Sequence, residues 1–470
     1  MKNLFLALLA VFGLSIYDSN AKIKLPTIIS SNMVLQRNAS VKIWGWAKVG
    51  EKITIETTWT SKKTKFVTNA SGRWEINVLT TLSKESQTIH LSSSESNIKL
   101  DNILFGEVWV CSGQSNMRQP LKGYTGQRVF DGNKAIATCA NDKIRLFSIV
   151  EKGSPIPLDS VQNGKSWNIV SPESAKDFSA IAYFYGKQLQ EILDVPVGLI
   201  MTSWGGTRIQ PWMSKEAMSP FLEADNTKID TTEGFKKMPS AIFNAMINPI
   251  TSYTIKGVLW YQGETNRKEP ALYQHLLPEM VKDWRTKWNI GDFPFYYVQI
   301  APNNYVDKSN SHYLREAQLK ALDVIPNSGM VVTSDIGSEV TIHPPKKKEV
   351  AERLLFMALN LTYGMKGIDY LGPVYKSLEL KEASLILTFD HSETGLFCST
   401  NELNDFEIAG ADKVFYPAKA EIVKGQQVSV SSPNVINPVA VRYGWKNFFQ
   451  GSLFDTDLLP ASSFRTDDWE

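Results

Sequence analysis

The chain predicts an α/β fold: a parallel sheet covered by helices on both faces, with a β-rich region on either side. Three observations predict it. From Leu104 onward apolar strand-like runs alternate with helical runs, the rhythm of parallel strands joined by crossover helices. Before Ile103 and after Gly364 the pattern alternates apolar and polar residues with a period of two, as half-buried strands do. Between them lies Gly106-Glu-Val-Trp-Val-Cys-Ser-Gly-Gln-Ser-Asn-Met117, in which a short buried strand, Val108 to Cys111, is stopped abruptly by small and polar residues. A hydroxyl residue in a tight turn leaving a buried strand is how such a sheet presents a nucleophile at its carboxyl edge.

The chain's 470 residues exceed one core, and the boundaries are placed by these changes of rhythm. Residues 1–21 read as an export signal, 22–103 as an N-terminal β domain, 104–365 as the α/β domain and 366–470 as a C-terminal β-rich region. The signal has Lys2, the apolar run Leu4 to Ile16, and small residues at Ser19-Asn20-Ala21. That run is too short to span a bilayer, and no later one is long enough, so a secreted or periplasmic protein is expected. The net charge of +2, without like-charge runs, favours neither nucleic acid nor a membrane surface. Three cysteines (Cys111, Cys139, Cys398) lack metal-site spacing and allow at most one disulfide.

The elements follow in order. Ser40 to Trp46, Lys52 to Thr57 and Thr88 to Leu91 are the clearest early strands. Ala180 to Leu193 has helical spacing and runs into a buried strand, Val195 to Thr202. Val258 to Tyr261 and Phe295 to Ile300 are further strands, followed by a helix at Tyr313 to Leu322 and a strand at Gly329 to Thr333. Lys347 to Leu361 is the last amphipathic helix. Leu385 to Phe389, Gln427 to Ser431 and Val439 to Tyr443 are strands of the C-terminal region.

A serine hydroxyl needs a base, almost always histidine. Of five histidines, His90 and His391 lie in β segments, His275 sits in a helix and His312 opens another. His343 lies in Thr341-Ile-His-Pro-Pro345, a strand-to-helix loop stiffened by two prolines on the same sheet edge as Ser115. Elimination and topology therefore select His343. Two other loops leave strands on that edge. Ser203-Trp-Gly-Gly-Thr207 offers Gly205 and Gly206, whose N–H groups can approach a substrate oxygen closely. Trp260-Tyr-Gln-Gly-Glu-Thr-Asn266 offers the amides of Gln262 and Asn266.

Those four segments together resemble the sialate O-acetylesterases, carbohydrate esterases of the SGNH-hydrolase superfamily. The resemblance extends to Phe406 to Asp412, Val439 to Tyr443 and Phe464 to Trp469. It implies a flavodoxin-like αβα sandwich with flanking β domains, Ser115 as nucleophile and His343 as base. Oxyanion donors would come from the N–H of Ser115, a Gly205 or Gly206 N–H and the Gln262 or Asn266 amide, with no metal or organic cofactor. The superfamily places an Asp three residues before the histidine, where Val340 stands; related esterases place one two before, where Thr341 stands. The imidazole is then oriented either by Asp335 or, in a Ser–His dyad, by a backbone carbonyl, with Glu339 behind both.

The expected reaction is removal of O-acetyl groups from sugars. The first substrate is 9-O-acetylated sialic acid, with Arg118 and Arg208 as partners for its carboxylate. Acetylated xylan is the alternative and needs no such cation. A non-catalytic carbohydrate-binding protein is the rival from another class; the aromatic content permits it, but the intact Ser115 and His343 argue against it.

Overall fold

The computed structural model describes residues 22–162, 166–222, 231–307 and 309–469. The expected export signal at 1–21 lies outside the described residues. Among these residues, no helix is long and apolar enough to cross a membrane, and Cys111, Cys139 and Cys398 are all free thiols.

The organising element is a 17-residue strand, β1 (Asn97–Gly113), whose second half is buried without interruption. It does two jobs. Its first half pairs antiparallel with Gln87–Ser92 of the N-terminal β region. Its second half is the central strand of a parallel sheet, joined in chain order by β2 (Asn141–Ser148), β3 (Val197–Ser203), β4 (Gly257–Tyr261), β5 (Phe295–Val298) and β6 (Ser328–Val331). The sheet order is β6-β5-β4-β1-β3-β2, with Asn168–Val170 antiparallel at the β2 edge. Because β1 runs through position 104, the N-terminal region and the parallel sheet share one unbroken strand.

Strand alternation sorts the two faces. Val108 and Val110 of β1 point into one core, shared with α3 (Pro270–Trp288) and α4 (Ser311–Lys320) and continuous with the N-terminal β region. Trp109 and Cys111 point into the other, shared with α2 (Ala180–Leu193) and α5 (Lys347–Met357). The sequence places α2 and α5 well, but it shows only the first turns of α3, which runs on through Pro278 to Trp288. Strand β2, the last parallel strand on its side, carries Asn141, Asp142, Lys143 and Arg145 beside its apolar residues and is not legible as a strand.

The C-terminal region has its own core around Leu387, Val430, Tyr443 and Phe464. It is fastened to the α/β unit through α4. Arg315 is buried and donates to the carbonyls of Gly444 (3.1 Å) and Lys446 (2.6 Å) and to Ser463 Oγ (3.0 Å). One residue on, Glu316 pairs with Arg465 at 2.8 Å, so the chain's last segment docks on this helix. Arg315→Ala should strip several buried carbonyls of their donor and destabilise this junction by about 3 kcal/mol or more. Limited proteolysis should then release the C-terminal region ahead of the rest, and the melting temperature should fall.

Candidate active site

Gly113 ends β1 at a φ of 132°, and a Cβ there would lie 2.1 Å from the carbonyl oxygen of Tyr261. Glycine is therefore what lets β1 and β4 converge at the sheet's carboxyl edge. The Gln114 N–H closes the junction on Tyr261 O at 2.9 Å. The chain then turns into α1 (Ser115–Arg118), with Ser115 at its first position. The β3 loop passes beside it: the Trp204 N–H donates to Gly113 O at 3.0 Å, and a Cβ on Gly205 would sit 3.3 Å from Ser115 Cβ. Among the described residues, the N–H groups of Ser115, Gly205 and Gly206 have no protein acceptor. The Gly205 donor lies beside Ser115 at the carboxyl edge of the sheet, and Gly206 follows it at an exposed turn position.

His343 Nε2 lies 2.7 Å from Ser115 Oγ. Its Nδ1 lies 2.5 Å from Gln127 Oε1, and the Tyr124 ring stands edge-on to the imidazole at 5.2 Å. The loop that carries it is anchored through Asn116. That carboxamide donates to Ile342 O (2.8 Å) and to Glu264 Oε1 (2.5 Å), and accepts from Lys347 Nζ (2.5 Å). Lys347 and Glu264 are both buried. Burial pushes the Lys347 ammonium down to about 7 and raises the Glu264 carboxyl. Burial, aided by the Lys347 charge, also pushes the His343 imidazole down to about 4. The imidazole is thus held neutral at physiological pH, ready to accept a proton from Ser115.

This arrangement of nucleophile, base and free N–H donors can carry out acyl transfer. The comparisons with known proteins agree in kind. A family model described as "Carbohydrate esterase, sialic acid-specific acetylesterase" matches residues 105–354, more than half of the chain. The chain belongs to this carbohydrate esterase family. Curated sialate O-acetylesterases of mouse and human are each 28% identical to it, covering 93% of this chain and 93% and 91% of their own. A solved carbohydrate acetylesterase from Xanthomonas citri is 31% identical with a TM-score of 0.86, covering 95% of this chain and all of its own.

Within this esterase the structure brings Ser115, His343 and Gly205 together, with Gly206 next in the chain, and corrects other expectations. Asp335 does not face the imidazole: both its oxygens are held by Arg353 at 2.8 and 2.7 Å. Glu339 is exposed. Gln262 has no spare donor, because its Nε2 is spent on Thr207 O (3.1 Å) and Asn266 Oδ1 (2.8 Å). Asn266 gives one amide hydrogen to Gln210 Oε1 and keeps the other. The Gln262–Asn266 loop therefore acts first as a brace for the Gly205–Thr207 turn. Nor are Arg118 and Arg208 open cations: each meets a glutamate at 3.0 Å, Glu151 and Glu269 respectively. Ser112, in the strand itself, is fully buried and cannot stand in for Ser115.

Sequence reasoning missed Gln127, Tyr124, Asn116 and Lys347. Asn116 lies inside a quoted motif and Lys347 opens the last helix, but nothing about their residue type signals a buried tether. Gln127 lies in a glycine-punctuated turn, Gly123-Tyr-Thr-Gly-Gln127, whose fold brings it to His343 across 216 residues. With Asp335 committed to Arg353, Asp335→Asn should leave turnover within about threefold while costing roughly 1–3 kcal/mol of stability. Steady-state kinetics and chemical denaturation on the same preparation check both.

Proposed function

We propose that this esterase removes acetyl groups from sugar hydroxyls through an acetyl-enzyme on Ser115. The observation that carries the reading is the 2.7 Å contact between Ser115 Oγ and His343 Nε2, beside unpartnered N–H groups at the carboxyl edge of the sheet. Ser115 Oγ attacks the ester carbonyl while His343 Nε2 takes its proton. The oxyanion is held by the N–H groups of Ser115 and Gly205 or Gly206, with the remaining Asn266 amide hydrogen as a further donor. His343 returns the proton to the departing sugar oxygen. Water then attacks the acetyl-enzyme, giving its proton to His343, and acetate leaves as Ser115 is restored. The fold reading is an SGNH-type sandwich. In its support, setting aside β2, the remaining five strands take the order 2-1-3-4-5 of flavodoxin-like sheets. Secretion or export to a periplasm, on the signal-like residues 1–21, belongs to the same reading.

Two substrates are carried forward. Acetylated sialic acid, with the 9-O ester first, is supported by the names of the family and of its curated relatives. An acetylated neutral polysaccharide such as xylan is favoured by one observation. A trough of about 1060 Å³ opens beside Arg118 and Tyr124, and its cations Arg118 and Lys122 are each paired, to Glu151 and Asp177. Acetate release from acetylated sialic acid and acetylated xylan, measured side by side, separates them. A preference of tenfold or more for either names the class, and no release from either or from a chromogenic acetyl ester overturns the esterase reading.

Ser115→Ala should lower turnover by about three orders of magnitude or more without loss of fold, whereas Ser112→Ala should not. His343→Ala should be comparably damaging, and replacing His90, His275, His312 or His391 should leave turnover nearly unchanged. The base works when neutral, and it is neutral above its own pKa. The kcat/KM profile should therefore rise with pH through about 4 and be flat from there to neutrality, which a rate profile from pH 3 to 8 reads directly.

A further inference from the structure

We propose that Gln127 is the positioning residue of the catalytic imidazole, a neutral carboxamide oxygen in the place where such hydrolases usually carry a carboxylate. The inference rests on the reading of Ser115 and His343 as nucleophile and base.

The geometry is specific. Gln127 Oε1 stands 2.5 Å from His343 Nδ1. A carboxamide oxygen accepts, so Nδ1 carries the hydrogen and Nε2 presents its lone pair to the Ser115 hydroxyl. The turn that delivers Gln127 is fixed on every side. Its N–H and C=O are paired with the C=O and N–H of Tyr124 at 2.9 Å each, and Gln119 Nε2 donates to the same carbonyl at 3.1 Å. Gly123 has a φ of 79°, and a Cβ there would come within 2.6 Å of Gln127 O. From the same turn the Tyr124 hydroxyl donates to Ser115 O at 3.0 Å. Just beyond it, the Phe130 N–H donates to Pro345 O at 3.0 Å, tying the turn to the histidine loop.

Among the described residues, none of the carboxylates near the site competes for Nδ1. Asp335 is on Arg353, Glu264 on Asn116, and Glu151 on Arg118. The remaining groups near the ring do not supply negative charge either. Tyr124 is a neutral phenol, pushed up to about 12 by burial, and Lys347, behind Asn116, carries no negative charge in either protonation state. A carboxamide here fixes the tautomer without countering the imidazolium charge that develops during proton transfer. It gives up part of the rate that a carboxylate supplies, and in return the base stays unprotonated in acid.

Three variants, Gln127→Ala, Gln127→Glu and His343→Ala, test this on an acetyl ester. Gln127→Ala should lower kcat by roughly 10- to 100-fold with KM within threefold, and the Nδ1–H resonance of His343 seen by NMR in the wild type should be lost to exchange. Gln127→Glu should keep activity at neutral pH and move the acid limb of kcat/KM up by at least one pH unit, because a carboxylate stabilises the imidazolium. A Gln127 that merely shapes the turn would lower the melting temperature and leave the limb where it is. An unshifted limb in Gln127→Glu, or turnover within twofold of wild type in folded Gln127→Ala, overturns the proposal. Should Gln127→Ala fail to fold, the limb of Gln127→Glu and the wild-type Nδ1–H resonance decide. If His343→Ala itself keeps activity, the catalytic reading has failed; if it is silent while the Gln127 variants are normal, only this inference has.

Discussion

One carboxamide holds the site together. Asn116 follows the nucleophile directly, and its side chain binds Ile342 O of the histidine loop, Glu264 of the β4 loop and Lys347 at the start of α5. Three loops that leave three different strands are thus cross-linked at one residue, 1% exposed. Each bond matters because burial leaves no water to replace it. The position of Ser115 relative to His343 is then set by a side chain that touches neither reacting atom. An ammonium and a carboxyl group on opposite sides of the same carboxamide also tolerate burial better than either would alone, since each offsets the other's field.

Glycine supplies the other constraint. At Gly113 and at Gly263, with φ of 132° and 155°, any side chain would strike a neighbouring strand or helix. Gly113 lets the nucleophile turn meet the end of β4, and Gly263 lets the Gln-Gly-Glu loop pack against Ile300 and the α4 residues Leu314 and Gln318. The backbone donors around Ser115 are placed by this packing, and the Gln262 amide together with one amide hydrogen of Asn266 holds that backbone still.

The sequence displays what periodicity and motif chemistry encode. Helices α2 and α5 and strands β3 to β6 were legible because apolar spacing is local, and Ser115 and His343 because few residue types can do their work. Asp335 misled because its place in the chain, eight residues before His343, suggests a reach that Arg353 forestalls. Arg118 and Arg208 misled because charge is visible in sequence and pairing is not. Gln127 was not legible: a glutamine in a turn has no signature until the fold sets it against Nδ1. Strand β2 hid for the same reason: Asn141, Asp142, Lys143 and the buried Arg145 break its apolar pattern, and their pairing between β3 and Asn168–Val170 is a property of the sheet.

The unbroken β1 also sets an order of assembly during synthesis. Its first half finds its partner, Gln87–Ser92, as soon as the chain has turned back. Its second half has its parallel neighbours in β3 and β4, the nearer of which ends about ninety residues later. At translation speeds of about 5–20 residues per second, the buried run Val108 to Cys111 waits roughly 5–18 s for its first main-sheet neighbour. Val34–Gln36, already made, pairs with Leu104–Gly106 and covers only the root of that run. Nascent chains of this protein therefore carry an apolar, unpaired strand edge at a defined length, the kind of surface that chaperones engage and that competing chains can capture.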